Sequence, residues 1–325
     1  MRLAVLSRGA RLYSTRRLVQ EARNCHCEVD VLDPLQFSLS VGKDEPEILH
    51  RGSKISYDSV LPRIGHSITA HGVALLRQFE RLNVYTTNPS FGIRQSRDKL
   101  LASQILSAND IPIPTTVYVR NSDDVEQAVD KAGGLPVVIK VSQGTQGRGV
   151  FLRHTMREAK TLVEALLVTG QVVLVQQYIE ESHGTDIRAL VVGDRVVAAM
   201  RRRARGKEFR SNYHLNGTVE HVDLPEHFAK IAVKASKILG LKVAGVDLLE
   251  GLDGPLVLEI NSSPGLEGIE RASKVNVARE IIEFIIEDSF AAEVDLEQNK
   301  QVIQKYNGSW SEIVNDIPSP EKSKE

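Results

Sequence analysis

Three oxygen-bearing side chains near the end of the sequence have the types and spacing of ligands for a divalent cation. Asp247 lies in the apolar segment 244–249, and Glu259 and Asn261 lie in or directly after the apolar segment 256–260. A short turn-forming stretch between the segments predicts an antiparallel hairpin, in which Glu259 and Asn261 share a face and Asp247 lies across from them. Such hard oxygen ligands suit Mg²⁺ or Mn²⁺ bridging nucleotide phosphates. The alternative is a solvated hairpin face.

A glycine-rich segment, 144–149, lies between a predicted strand that ends near Lys140 and another predicted strand at 150–152. A P-loop or a dinucleotide-binding loop would open a helix, so neither motif fits. The backbone N–H groups of such a turn can lie over phosphates, and Lys140 is placed to neutralise them. The residues expected to cover the phosphates are Gly144, Thr145, Gln146 and Gly147. A plain hairpin loop is the alternative.

The composition excludes several other classes of protein. Forty-one basic and forty-two acidic residues among 325 give a net charge of −1, which argues against whole-molecule nucleic-acid binding. No apolar run is long enough for a membrane span, and the apolar start of the chain is too short for a secretory signal, so we expect a cytoplasmic protein. Cys25 and Cys27 are expected to be reduced thiols.

The elements that must position these residues alternate between strands and helices at the start of the chain. The first ninety residues are predicted to contain three strands and a helix, at 3–6, 28–32, 59–62 and 14–24 respectively. This order indicates a parallel, doubly wound sheet, and its first loop lacks a dinucleotide-binding fingerprint. Residues 88–90 interrupt the pattern, and one helix is expected from about 93 to 108.

Two further units and a tail are expected after this sheet. The second unit is predicted to contain strands 116–119, 137–141, 150–152 and 172–177 and helices 123–132 and 157–167. The third unit is predicted to contain strands 188–192, 195–200, 244–249 and 256–260 and a helix at 227–239. Residues 283–325 hold ten acids and four bases, which predicts a helix that continues into a disordered acidic tail.

Taken together, Lys140, the glycine-rich segment and the Asp247, Glu259 and Asn261 set resemble the ATP-grasp carboxylate-amine ligases. Six further motifs in order look like the RimK family of these ligases, over about residues 1–288. They are 62–65 (PRIG), 97–100 (RDKL), 144–147 (GTQG), 184–188 (GTDIR), 209–212 (FRSN) and 261–270 (NSSPGLEGIE). The acidic tail lies outside the resemblance.

The resemblance implies a set of roles for residues of this sequence. The adenine and ribose would lie against Gln177, Tyr178 and Ile179 and near Asp186. The residues implied to hold the phosphates are Lys99, Lys140, the glycine-rich segment, Arg210, Ser211 and Asn212. Asp247, Glu259 and Asn261 would hold the metal, with two Mg²⁺ or Mn²⁺ ions expected. Without the resemblance, 172–179 could be only a buried strand and Lys99 only a solvated helix residue.

The basic cluster 201–210 contains six Arg or Lys residues and one acid, Glu208. Charge runs are usually solvated loops. For a ligase whose substrates are anions a basic wall is expected instead, and on this basis Arg202, Arg203 and Arg210 are catalytic candidates. Arg201 and Gln143 differ from the residues that a relative has at these positions, which predicts a difference in substrate preference.

The resemblance also implies an architecture and a reaction. We expect an α/β chain, α+β in its ATP-grasp part, with a Rossmann-like domain at 1–92, ATP-grasp lobes at 93–179 and 180–290, and a tail at 291–325. The family adds L-glutamate to the C-terminus of the sixth protein of the small ribosomal subunit through an acyl phosphate, and can make poly-α-glutamate. This implies ATP, L-glutamate and that protein as partners, and a homo-oligomer. Alternatives are a ligase for another amino acid, coenzyme or carrier protein, and a nucleotide sensor without turnover.

Overall fold

A computed structural model describes residues 1–42, 46–141, 149–182, 184–204 and 217–294. In chain order the strands are β1 (Arg2–Leu6), β2 (Glu28–Leu32), β3 (Phe37–Ser40), β4 (Glu47–His50), β5 (Ser53–Lys54), β6 (Ser59–Pro62), β7 (Tyr85–Thr86), β8 (Thr116–Val119), β9 (Val137–Val141), β10 (Val150–Arg153), β11 (Val173–Gln177), β12 (Thr185–Val192), β13 (Arg195–Arg203), β14 (Thr218–His221), β15 (Val243–Gly251) and β16 (Gly254–Asn261). The helices are α1 (Tyr13–Asn24), α2 (Thr69–Arg81), α3 (Ser90–Arg97), α4 (Lys99–Ala108), α5 (Val125–Lys131), α6 (Met156–Val168), α7 (Glu226–Ile238) and α8 (Glu267–Ser273).

The N-terminal part contains the predicted parallel sheet. Its strand order is β2-β1-β6-β7, and every neighbouring pair is parallel. The chain adds β2 on one side of β1 and then crosses to add β6 on the other side. The carboxyl ends of β1 and β6 therefore flank the point where the strand order reverses, which is where open parallel sheets bind ligands.

The rest of the chain builds two antiparallel sheets. One has the order β10-β9-β11-β8, and the other has the order β14-β13-β12-β15-β16. The first sheet covers its own apolar core, in which Val129, Ile139, Val163 and Val175 are buried. The second shares a larger core with the parallel sheet, since Leu6, Val60, Ile187 and Val246 belong to one buried cluster. The predicted mixed α/β class, parallel at the N-terminus, is confirmed.

The structure corrects the predicted helix from 93 to 108. Two helices, α3 and α4, replace it, because Asp98 is extended (φ −96°, ψ 106°) and caps α4 by accepting hydrogen bonds from the backbone N–H groups of Leu100 and Leu101, each at 3.1 Å. An aspartate in this role satisfies N–H groups that have no partner inside the helix. Lys99 consequently becomes the first residue of α4.

Several elements were missed in the sequence. They are α2, α8, β7, β14 and a small antiparallel sheet of the order β3-β4-β5 inserted before β6. The chain divides into two units, Met1–Phe284 and Ile285–Glu325. Residues 277–284 of the first unit are helical, as are residues 285–294 of the second. Among the described helices, none is both long and apolar enough to cross a membrane.

Candidate active site

The predicted hairpin brings the three candidate metal ligands together. In the β15–β16 pairing Asp247 faces Glu259 and Gly245 faces Asn261, with a register shift directly after Asp247. The Asn261 amide nitrogen lies 3.4 Å from the Asp247 carboxylate and 3.4 Å from the Gly245 carbonyl oxygen. Because its nitrogen points to these acceptors, the amide oxygen of Asn261 is left for a ligand. Three oxygen donors of two different kinds fit Mg²⁺ or Mn²⁺.

The oxygen set is not an acidic triad. Within the described residues, groups of three or more His, Cys, Asp or Glu side chains able to hold a metal ion do not occur. The third donor at this site is therefore the amide of Asn261. Glu259 is exposed and Ile260, between it and Asn261, is buried, as expected when alternate residues of a strand face opposite sides.

Two arginines hold the carboxylate of Asp247. Arg188 on β12 donates two hydrogen bonds of 2.7 Å to it, and the Arg202 guanidinium lies 2.9 Å from it. Burial alone would raise the pKa of Asp247, but these two guanidinium groups hold the pKa below its ordinary value. Asp247 is therefore ionised at neutral pH, which is the form that binds a cation.

Arg202 also joins Asp247 to a second buried carboxylate. It donates to Asp186 at 2.5 and 2.8 Å, and Asp186 faces Arg202 directly in the β12–β13 pairing. Despite burial, which would lower it, the pKa of Arg202 is raised by the two carboxylates, so this side chain stays charged. The structure thus places two residues predicted for different roles, Asp186 at the ribose and Arg202 in catalysis, in one ion-paired network. Both of those roles stay predictions.

Arg203, the next catalytic candidate, points away from this network. Its side chain is exposed and pairs with Glu220 on β14 at 2.8 and 3.1 Å. The strand period explains the difference, because consecutive residues of β13 face opposite sides of the sheet. Other predicted residues lie outside the described part of the chain, namely Gln143, Gly144, Thr145, Gln146, Gly147, Arg210, Ser211 and Asn212.

The charge of Glu259 on β16 influences the pKa values of two lysines, Lys140 on β9 and Lys99 at the start of α4. Burial lowers the pKa of Lys140 to about 8, with Glu259 opposing this and Lys99 adding to it. Burial also lowers the pKa of Lys99, again against the influence of Glu259. Each lysine is half-buried as a residue, and the protein packed around its ammonium group disfavours the charged form. Two such lysines beside an oxygen donor set suit polyphosphate.

The base of the glycine-rich segment lies beside Lys140. Lys140 pairs with Val150 on β10 and with Leu174 on β11, so the predicted antiparallel strands on both sides of the segment are present. Gly149 has a φ of +75°, and a Cβ there would collide with the side chain of Val141. Glycine is required at this position because both the conformation and the space exclude a side chain.

The predicted adenine-binding residues end the strand that follows. Gln177 is the last residue of β11, and its backbone N–H and side-chain oxygen both bond the backbone of Thr115. Tyr178 is partly exposed and Ile179 is buried. An apolar, partly open strand end is compatible with an adenine, and the role of these residues stays a prediction.

Sequence reasoning included two arginines, Arg63 and Arg97, in the motifs 62–65 and 97–100 but assigned neither of them a role. Arg63 follows β6, and Arg97 ends α3. Burial, together with the neighbouring Arg97, lowers the pKa of Arg63 to about 10. Burial lowers the pKa of Arg97 as well, against the influence of Glu259, which places it in the electrostatic range of the metal ligands. Arg63 directly follows the carboxyl end of a parallel strand, and this position could have indicated a role in the site.

Asn88 was also missed. It is buried, its amide nitrogen donates to the carbonyls of Val243 and Ser262 at 2.7 and 3.0 Å, and its oxygen accepts from the backbone N–H groups of Lys242 and Val243 at 2.9 and 3.0 Å. It therefore fixes the loop after Asn261 and the start of β15 to the N-terminal sheet. The sequence indicated only a break at this position.

The structure is similar to solved structures of ATP-grasp proteins. The fold is similar to an ATP-grasp protein with a RimK domain from Sphaerobacter thermophilus (TM-score 0.66, 23% identity, 88% of this chain and 100% of that one). It is also similar to a D-alanine–D-alanine ligase from Bacillus anthracis bound to ATP (TM-score 0.63, 17% identity, 91% and 99%). These likenesses establish the ATP-grasp fold.

Residues 1–93 match the RimK PreATP-grasp domain, and residues 96–285 match the RimK-like ATP-grasp domain. The chain belongs to the RimK-like ATP-grasp family and is an ATP-dependent, ADP-forming ligase. It is 50% identical over 307 residues to a probable alpha-L-glutamate ligase of Rhodopirellula baltica, covering 94% of this chain and 76% of the relative. It is 49% identical over 286 residues to another of Aeromonas salmonicida, covering 88% and 96%. The predicted family and enzyme class are confirmed.

Proposed function

We propose that this enzyme uses ATP to join L-glutamate to a carboxylate through an amide bond. The observation that carries the proposal is that Glu259, one of the three candidate metal ligands, exerts an electrostatic influence on both Lys99 and Lys140. Relatives that are about half identical over most of the chain are named probable alpha-L-glutamate ligases, which supports glutamate as the amino acid.

The reaction divides into two steps. A carboxylate oxygen of the acceptor attacks the γ-phosphorus of ATP, so that an acyl phosphate forms and ADP leaves. The amine of L-glutamate then attacks the acyl carbon, phosphate leaves, and the nitrogen loses a proton as the amide forms. No step needs a covalent protein nucleophile, so positioning and electrostatics must supply the rate.

We assign the phosphates to Lys99 and Lys140, whose partly buried charges interact strongly with an anion because few waters screen them. Asp247, Glu259 and Asn261 would hold Mg²⁺ or Mn²⁺, which when bound would neutralise negative charge on the phosphates. Arg188 and Arg202 keep Asp247 ionised and in place. We assign exclusion of water from the acyl phosphate to the glycine-rich segment, whose described end at Gly149 has a conformation that favours glycine.

We propose the C-terminus of the sixth protein of the small ribosomal subunit as the acceptor, with poly-α-glutamate as a second product. Both follow from the family resemblance. In this assignment residues 1–92 bear part of the substrate site, and the lobes at 93–179 and 180–290 enclose ATP.

The test is to measure ADP release with ATP and L-glutamate alone and then with the ribosomal protein added. Mass spectrometry should detect additions of whole glutamyl units to the protein, to glutamate, or to both. ADP release that needs a different amino acid would overturn the glutamate assignment. Products that lack added glutamyl units on the ribosomal protein would overturn that acceptor.

A substitution at Glu259 tests the assignment of the metal ligands. Glu259→Gln should abolish ADP release and weaken Mn²⁺ binding while far-UV circular dichroism stays unchanged, because Glu259 is exposed and no hydrogen bond of the described residues depends on it. Glu126→Gln is the matched control, since Glu126 is an exposed carboxylate that pairs with Lys160. Full ADP release by Glu259→Gln would show that the assignment is wrong.

A further inference from the structure

Arg63 is carried to the edge of the active site by the parallel sheet. Its backbone N–H donates to the carbonyl of Leu6 at 2.9 Å, which continues the pairing of β6 with β1 beyond their carboxyl ends. Its guanidinium donates to the carbonyl of Pro264 at 2.7 Å. Pro264 belongs to the loop that directly follows the metal-ligand candidate Asn261. Arg63 therefore lies between the reversal point of the sheet and the metal-binding hairpin.

Arg97 lies close enough to Arg63 for the two positive charges to repel each other. Its guanidinium donates to the carbonyl of Ile64 at 2.7 Å, and its buried Nε atom has no hydrogen-bond partner among the described residues. Within the same residues, neither Arg63 nor Arg97 has a carboxylate at ion-pair distance. Both are held by neutral carbonyls, which orient a guanidinium but do not neutralise it.

The loop beside Arg63 offers further donors. The hydroxyl oxygens of Ser262 and Ser263 are buried and also lack a hydrogen-bond partner among the described residues. The loop itself is fixed, because Asn88 bonds the Ser262 carbonyl and Arg63 bonds the Pro264 carbonyl. Buried polar groups are almost always satisfied, and two like charges near each other are costly without an anion. This combination is what an anionic ligand would complete.

We propose that Arg63 and Arg97 bind a carboxylate of one of the two acid substrates, the incoming glutamate or the acceptor's C-terminus. The inference rests on the proposed ligation of glutamate. That reaction brings two carboxylic acids to a triphosphate, so cations beyond those on the phosphates are needed to hold them together. A guanidinium binds a carboxylate through two parallel N–H groups, and the serine hydroxyls can donate to the same oxygens.

Arg63 lies on a different element from the lysines assigned to the phosphates. Lys99 and Lys140, assigned to the phosphates, lie at the start of α4 and on β9, whereas Arg63 follows β6 of the parallel sheet. The predictions for the two groups therefore differ. Loss of an arginine of the pair should weaken the binding of a carboxylate and leave the binding of nucleotide unchanged.

The experiment measures equilibrium binding to the full-length protein in the presence of Mg²⁺ and a non-hydrolysable ATP analogue. The probes are labelled L-glutamate and, separately, tetra-α-L-glutamate. In Arg63→Met and Arg97→Met the Kd of at least one probe should rise about 10-fold or more, the usual effect of losing a charge-assisted hydrogen bond. The Kd of the ATP analogue should change by less than about 3-fold, since no such bond to nucleotide is lost.

Arg94→Met is the matched control, because Arg94 is exposed on the same helix as Arg97. A rise for glutamate alone identifies the incoming amino acid as the ligand, and a rise for tetraglutamate alone identifies the acceptor. Unchanged binding of both probes, or weakening no greater than in Arg94→Met, overturns the proposal. So does an equal loss of nucleotide binding. If Arg63→Met does not fold by circular dichroism, Arg63→Lys, which keeps the charge and loses the two-pronged geometry, replaces it.

ADP release by the wild-type protein separates this inference from the proposed function. If the protein ligates glutamate while both methionine variants bind the two probes normally, the function stands and the arginine assignment is wrong. If the probes bind in an arginine-dependent way but no product forms with glutamate, the carboxylate site stands and the proposed reaction is wrong.

Discussion

Replacing Arg202 should destabilise the fold far more than replacing its neighbour Arg203. Arg202 is the only guanidinium among the described residues that bridges Asp186 and Asp247, and its side chain is 4% exposed. The Arg203 side chain, paired with Glu220, is 48% exposed. The two variants Arg202→Met and Arg203→Met therefore remove the same charge from adjacent positions on the same strand, one inside the protein and one at its surface.

The expected loss in free energy of unfolding follows from the hydrogen bonds that Asp186 and Asp247 retain in the variant. Without Arg202, Asp247 retains the two hydrogen bonds from Arg188, but Asp186 loses both bonds that Arg202 donates to it. A buried ion pair that loses one partner costs about 3–5 kcal/mol, and we expect the lower end because one of the two carboxylates stays paired. An exposed pair contributes at most about 1 kcal/mol, so Arg203→Met should cost no more than that.

Urea unfolding followed by far-UV circular dichroism measures the difference. The double variant Asp186→Asn with Arg202→Met should recover part of the loss, since the carboxylate that loses both Arg202 hydrogen bonds is then replaced by a neutral amide. Free energies of unfolding for Arg202→Met and Arg203→Met within about 1 kcal/mol of each other would refute the importance of the buried network.

Acid adds a second test of the same network. Because the pKa of Asp247 is lowered in the folded protein, its ionised form stabilises the fold above the ordinary pKa of a carboxyl, and this stabilisation is lost as the pH falls through the folded pKa. Arg202→Met removes one of the two cations that lower this pKa. In the variant, the loss of stability that Asp247 causes as the pH falls should therefore be smaller and should end at a higher pH than in the wild type.

Three further predictions concern single positions. Asn88→Ala should lower the free energy of unfolding by about 3 kcal/mol, since it leaves buried backbone groups unpaired. A loss below about 1 kcal/mol in urea unfolding would contradict the importance of these Asn88 hydrogen bonds. The Kd of ATP should rise as the pH passes upward through about 8, because Lys140 loses its charge there, whereas Lys140→Met should bind weakly without this pH dependence in calorimetry. Gly149→Ala should lower the melting temperature more than Gly170→Ala, because both have positive φ but only at Gly149 does a Cβ meet another side chain, that of Val141; equal shifts would exclude the steric part.

The β15–β16 hairpin, which bears the candidate metal ligands, could be predicted because everything that determines it is local. Asp247, Glu259 and Asn261 lie within fifteen residues of one another in the sequence, the turn between the strands is short, and a strand alternates its faces. Lys140 and the strands beside the glycine-rich segment were predicted for the same reason. The prediction of one helix at 93–108 was wrong for a reason that is also local. Aspartate is a common N-cap residue, so Asp98 could have been interpreted as the start of a new helix.

The ion-paired network could not be predicted, because it depends on the register of strands that are distant in sequence. Asp186 meets Arg202 through the β12–β13 pairing, but Asp247 reaches the same guanidinium only because β12 also pairs with β15, about sixty residues further on. A shift of one residue in either pairing would turn these side chains to the opposite face. Sequence patterns indicate which residues form strands, but they do not indicate such a register.

Arg63 and Asn88 show why the contribution of the parallel sheet to the site was also missed. Neither local segment indicates a partner for its residue, and each residue reaches its partner across a sequence separation of more than 150 residues. Both hold the loop that follows Asn261, one at the Pro264 carbonyl and the other at the Ser262 carbonyl. The loop with the two serine hydroxyls that lack a hydrogen-bond partner among the described residues is thus fixed from the N-terminal domain, while Asn261, which starts it, belongs to the C-terminal sheet. A substrate carboxylate bound there would be positioned against ATP by two sheets that share one core, and the alignment of acid and nucleotide would depend on the contacts between them.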